Sequence, residues 1–190
     1  MRNEQVLTNR RIWIVVGLLA LLMFVTRCSW FHLSVYCANA SMAVFILGGI
    51  YVRRHWAFAS LVLLAVSIDY VAMSYAGTSS YCITPAYGCL LVSYAVLWYG
   101  GRLLAGRGFS RPMQFGGALV FASLAFVISN GSFYWLGGRV ADPDMTGWIA
   151  NFTNWAPLFI GTTLAYVGVV LLAHEVWARV HVSRPVQHVA

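Results

Sequence analysis

Apolar residues run through this chain in blocks too long and too continuous to be one face of a soluble helix, with short polar breaks between them. A helix needs roughly 20 mainly apolar residues to cross a bilayer. The blocks predict six spans, at 12–31, 39–52, 56–75, 85–100, 115–135 and 155–177. The second and fourth are short for a full crossing, so they either extend into the headgroup region or are covered by neighbouring helices. No soluble domain, low-complexity segment or internal repeat interrupts the series. The expected fold is all-α, one polytopic membrane domain over residues 1–190.

Composition agrees with the pattern. The chain is 61% hydrophobic and 9% charged, where a soluble domain carries about 25% charged residues. Such a chain cannot cover a globule with polar surface, so the lipid bilayer is its expected solvent. Lysine is absent, and arginine carries the whole balance of +7. Arg2, Arg10 and Arg11 precede the first span, and Arg53 and Arg54 separate the second from the third. Arg102, Arg107 and Arg111 lie between the fourth and fifth, and Arg179 and Arg184 follow the sixth. The opposite side holds only Arg27 and Arg139, ten arginines against two. The positive-inside rule then puts both termini in the cytoplasm of a bacterial inner membrane. The basic excess reflects topology, and no nucleic-acid partner is implied. A signal peptide cleaved after the "ANA" at 38–40 is disfavoured, because that site lies well past an apolar core ending near Val25.

This orientation places the stretch "YCITPAY" (81–87) at the outer mouth, after the small polar loop 76–81. Thr84 is positioned to cap the fourth helix, and Pro85 suits a first helical turn, where a missing N–H costs nothing. Cys82 then precedes a helix N-terminus, whose dipole favours thiolate. Its plain alternative is a small packed hydrophobe. Cys28, Cys37 and Cys89 also fall in the outer half, where disulfides can form. A Cys28–Cys37 bridge is compatible with the sequence but cannot be deduced from it. Asp69 is the only acid well inside a span. An ionisable group in hydrocarbon costs at least ~2.5 kcal/mol, so it must face the bundle interior or a wet cavity. Two roles stay open for it: a hydrogen bond tying helices together, to Ser67 or a tyrosine, or contact with a ligand. Glu175 lies four residues before Arg179, the spacing of a helix-surface ion pair.

Aromatic residues crowd the outer end, among them Trp30, Tyr75, Tyr81, Tyr87, Tyr134, Trp148 and Trp155. An interfacial belt accounts for many of them. The last external loop, 137–154, is long and carries Asp142, Asp144, Asn151 and Asn154, so it reads as a lid over something polar. No nucleotide loop, zinc-ligand cluster, serine elbow or paired carboxylate site is present. The sequence therefore gives no support to soluble-enzyme chemistry.

The motifs "ASMAVF" (40–45), "DY" (69–70), "YCITPAY" and "LWYGG" (97–101) resemble the solitary cobalamin S components of energy-coupling-factor transporters, the BtuM family. The likeness covers about a third of the chain; elsewhere it rests on topology alone. It implies an S-component-like bundle that takes up cobalamin (vitamin B12). In such a bundle Cys82 would coordinate the corrin cobalt, and Asp69 and Tyr87 would line the pocket. Tyr81, Thr84, His32, Tyr134 and Trp155 complete the candidate mouth, with His32 the other outer residue able to serve as an axial ligand. The implied partner is an ATP-driven module, unless the protein acts alone. The first helix departs from the alanine pair four apart that serves docking in many S components, having Gly17 and Ala20 instead. Thiolate is a soft ligand suited to cobalt, and aromatic walls with a few polar donors suit a broad corrin. Such a ligand weakens the bond trans to itself, so removal of cyanide from cyanocobalamin is a further expectation for Cys82. Two other readings remain: an S component for a different vitamin, and a membrane thiol-disulfide oxidoreductase. The oxidoreductase would ordinarily use Cys-x-x-Cys, and the cysteine spacings here are nine and seven.

Overall fold

The computed structural model of the protein describes residues 9–27, 39–75 and 84–182. The described residues form six helices and no strand: α1 (Asn9–Arg27), α2 (Ser41–Tyr51), α3 (His55–Tyr75), α4 (Tyr87–Gly106), α5 (Arg111–Leu136) and α6 (Met145–Val182). Five of them, all but α2, are long and apolar enough to cross a membrane. This is the pattern of a multi-pass membrane protein. Large apolar side chains such as Trp13, Leu18, Leu63, Val120 and Val169 point outward, where only lipid would solvate them.

The second block of the sequence behaves differently. α2 has 11 residues, about 16 Å of helix, roughly half the ~30 Å hydrocarbon core. Its residues from Ala43 to Ile50 are all buried. α1, α3, α4 and α6 pack around it, so its ends are covered by protein rather than lipid. α2 lies closest to α4, and glycine is the reason. A Cβ on Gly49 would strike the Trp98 carbonyl, and one on Gly101 would strike the Ile46 carbonyl. The two backbones are therefore in contact, as small residues permit between membrane helices. Phe45, Leu47, Leu97 and Trp98 close the core around that contact. α5 joins α4 in antiparallel register, with Phe121 seated on Gly100 and Leu104 on Gly117. Ala118, Ala122 and Ala125 line its buried face.

Several element ends differ from the sequence expectation. α4 continues past the glycine pair to Gly106, and Arg102 within it directs a guanidinium N–H to His55 Nε2 at 2.9 Å. α6 begins at Met145, so the connection from α5 ends at Asp144 and the stretch read as a lid is largely the helix's first three turns. Asp144 Oδ1 accepts the Gly147 amide at 2.9 Å and starts the helix. Pro157 lies inside α6 without ending it, as membrane helices tolerate. The Glu175–Arg179 ion pair forms as its spacing predicts, at 3.0 Å.

Candidate functional site

At one end of the bundle, α1, α2, α3 and α4 each contribute a polar side chain to a single cluster. Arg27, the last residue of α1, meets Asp69 of α3 through two bonds. Its Nε donates to Oδ1 at 2.6 Å and its Nη2 to Oδ2 at 2.5 Å. This side-by-side geometry matches the guanidinium fork to the carboxylate. Nη1 donates to Ser41 Oγ of α2 at 2.8 Å and to Tyr94 Oη of α4 at 3.0 Å. Tyr87, the first residue of α4, donates its hydroxyl to Asp69 Oδ2 at 2.7 Å. One arginine thus ties four helices together.

Neighbouring residues hold these groups in place. The Ser41 hydroxyl donates to Asn39 Oδ1 at 2.6 Å, which leaves its oxygen free to accept from Arg27. Asn39 Oδ1 also accepts the Ser41 amide at 2.9 Å, securing the start of α2. The Tyr94 ring stacks on Phe45 with centroids 4.1 Å apart. Thr26 Oγ1 accepts the Ala40 amide at 3.2 Å, so α1 and α2 are joined beside the ion pair as well. Asp69 lies six residues before the end of α3 and Tyr94 seven after the start of α4, each about 10 Å from its helix end. The Arg27 and Asp69 side chains are 10% and 22% exposed. At that burial a lone charge would be prohibitive, while the pair is nearly neutral to its surroundings.

The sequence candidates divide into three groups. Asp69 and Tyr87 come together directly. Cys82, Tyr81 and His32, with Cys28 and Cys37, lie outside the described residues. Thr84, Tyr134 and Trp155 are described but do not join the cluster. Thr84 does not cap α4: the helix begins at Tyr87, and the Thr84 carbonyl, not its side chain, accepts the Tyr87 amide at 2.9 Å. Thr84 Oγ1 is buried with no hydrogen-bond partner. In sequence, Cys82 precedes the start of α4 by five residues instead of three. Tyr134 is buried where α5 meets Gly147 in the first turn of α6. Trp155 is 44% exposed and faces outward, in keeping with a belt position.

Arg27, Ser41 and Tyr94 are cluster residues that the sequence candidates do not include. In sequence Arg27 serves the charge count, although it lies within the first span, where it needs a partner as much as Asp69 does. The partner of Asp69 is a tyrosine, as one of its two roles required, but in company with this arginine and without Ser67. Among the described residues, no three His, Cys, Asp or Glu side chains converge to hold a metal ion. No protein-family model matches the chain, and comparison with curated proteins finds no significant match.

Proposed function

We propose that this protein binds cobalamin at the end of the bundle that holds the Arg27–Asp69 cluster, as the substrate-binding component of an uptake system. The observation that supports this reading is a shared location. Three of the motifs that resemble cobalamin S components contribute Ser41, Asp69 and Tyr87 to one cluster, and Cys82 lies five residues before Tyr87. A corrin carries amides around an apolar ring and offers cobalt one open axial position at a time. Cys82 would supply the thiolate for that position. The cluster would lie beneath the ring as a fixed polar floor.

Asp69 accepts two bonds from Arg27 and one from Tyr87, so it would serve chiefly to position those two groups. Ligation by Cys82 would also favour ligand exchange at cobalt. A Co–S bond would form opposite cyanide as the ligand on that side leaves; the weakened Co–C bond would then break, cyanide leaving with the electron pair and water taking its place, cobalt remaining trivalent.

The test is the absorption spectrum of purified protein loaded with cyanocobalamin. Wild type is expected to show a thiolate-dependent shift that Cys82→Ser loses while remaining folded. A shift lost in His32→Ala but kept in Cys82→Ser would reassign the ligand. Chromatography of corrin released from denatured protein reads the exchange: cyanide-free corrin should come from wild type and not from Cys82→Ala.

A further inference from the structure

At the end of the bundle away from Arg27, a groove of about 900 Å³ runs between the start of α5 and the last third of α6. Its composition changes along its length. Arg111, Glu175 and Arg179 line one end, and Phe115, Gly168 and Leu172 line the part towards mid-helix. Along α6, Gly168 to Arg179 covers eleven residues, about 16 Å, so the polar-to-apolar gradient follows the helix axis. Gly168 gives the groove depth, since a Cβ there would come within 3.2 Å of the Phe115 ring.

Charge at the polar end is unbalanced by one. Glu175 and Arg179 pair with each other at 3.0 Å. Arg111 donates to two neutral acceptors, Gln114 Oε1 at 2.9 Å and His174 Nε2 at 2.9 Å. An imidazole nitrogen that accepts from a guanidinium carries a lone pair, so His174 is uncharged in this contact. Gln114 is buried and donates to the Phe109 carbonyl at 3.1 Å, and the His174 ring stacks on Tyr51 at 5.5 Å. Arg111 is therefore held rigidly without losing its charge.

We infer that this groove is a binding site for a monoanionic phospholipid, with the phosphodiester on Arg111 and an acyl chain along Phe115, Gly168 and Leu172. One net positive charge meets one phosphodiester charge. The direction of the gradient matches a lipid standing in its leaflet, with its headgroup at the helix end. Basic pockets between membrane helices recognise anionic headgroups by this chemistry. Both parts are needed, because a free phosphate would leave the apolar half unfilled.

The experiment uses the full chain in detergent, with native mass spectrometry and thermal unfolding after adding phosphatidylglycerol or phosphatidylcholine of the same acyl composition. Phosphatidylglycerol should be retained roughly fivefold better. Arg111→Gln should abolish the difference, Arg111→Lys should keep much of it, and Arg102→Gln, outside the groove, should keep all of it. Leu172→Ser alters an exposed wall residue and should weaken retention of both lipids, which reads the groove even if Arg111→Gln is unstable. Equal retention of the two lipids by wild type overturns the proposal. So does displacement by inorganic phosphate or glycerol phosphate at the lipid's own concentration, which would mark a free-anion site.

Discussion

Arg27 and Asp69 illustrate how a membrane interior treats single residues. Removing one partner leaves a buried charge alone, whereas removing both leaves an apolar contact that helices accommodate readily. Arg27→Met and Asp69→Leu are each expected to cost about 3–5 kcal/mol in detergent unfolding. The double variant should recover most of that loss; under the proposed function it should still fail to bind corrin, because Tyr87, Ser41 and Tyr94 lose the group that orders them. Simple addition of the two losses in a double-mutant cycle would show that the pair is uncoupled. The site was partly legible at this scale. A carboxylate inside a span announces itself, and its tyrosine partner was one of few candidates. Arg27 was equally visible, but an arginine at a helix end also fits a topology count, and that second use hid the first. Thr84 misled for the opposite reason: Thr-Pro is a good helix-start signal, yet here the turn at 84–86 intervenes before α4.

Apolar periodicity located all six helices, since a bilayer demands long uninterrupted runs, but several of their ends depended on contacts that the pattern does not encode. Gly100 and Gly101 look like a helix terminator in sequence. In the structure they are mid-helix, where Phe121 of α5 and the backbone of α2 press against them. Asn151 and Asn154 near the start of α6 look like loop, yet Asn151 donates to Asn130 Oδ1 of α5 at 3.2 Å and the helix continues. The glycine contact gives an element-level test. Gly101→Val should drive α4 off α2 and cost about 1–3 kcal/mol or more, as overpacking against unyielding backbone does. Gly116→Val adds the same side chain in α5, where nothing lies within 4 Å. It should leave the unfolding midpoint within a degree or two. Similar losses in both would mean that helix propensity, not the α2–α4 contact, sets the cost.

The molecule as a whole is electrically polarised along its helices. Arg53 approaches Gly106, Arg102 contacts His55, and Arg111 contacts His174, all at the end opposite Arg27 and Asp69. At that opposite end Arg102 and Arg111 contact only neutral acceptors and keep their positive charge, while at the Arg27 end the cation inside the bundle is neutralised by its own aspartate. A translocating chain with this asymmetry should keep the arginine-rich end in the cytoplasm. The cluster would then face outward, as the proposed uptake role requires. Reporter fusions in a bacterial host test this directly. Green fluorescent protein joined after residue 184 should fluoresce, because it folds in the cytoplasm. Alkaline phosphatase inserted at Gly138, in the connection between α5 and α6, should be active, because it needs the oxidising side. Replacing Arg53, Arg54, Arg107 and Arg111 with glutamine should raise the misoriented fraction, since the two ends then differ less in positive charge. If phosphatase were active after residue 184 and silent at Gly138 in the unaltered chain, the Arg27–Asp69 end would open to the cytoplasm. Binding of a corrin there could still be real, but it could not be the entry step of uptake.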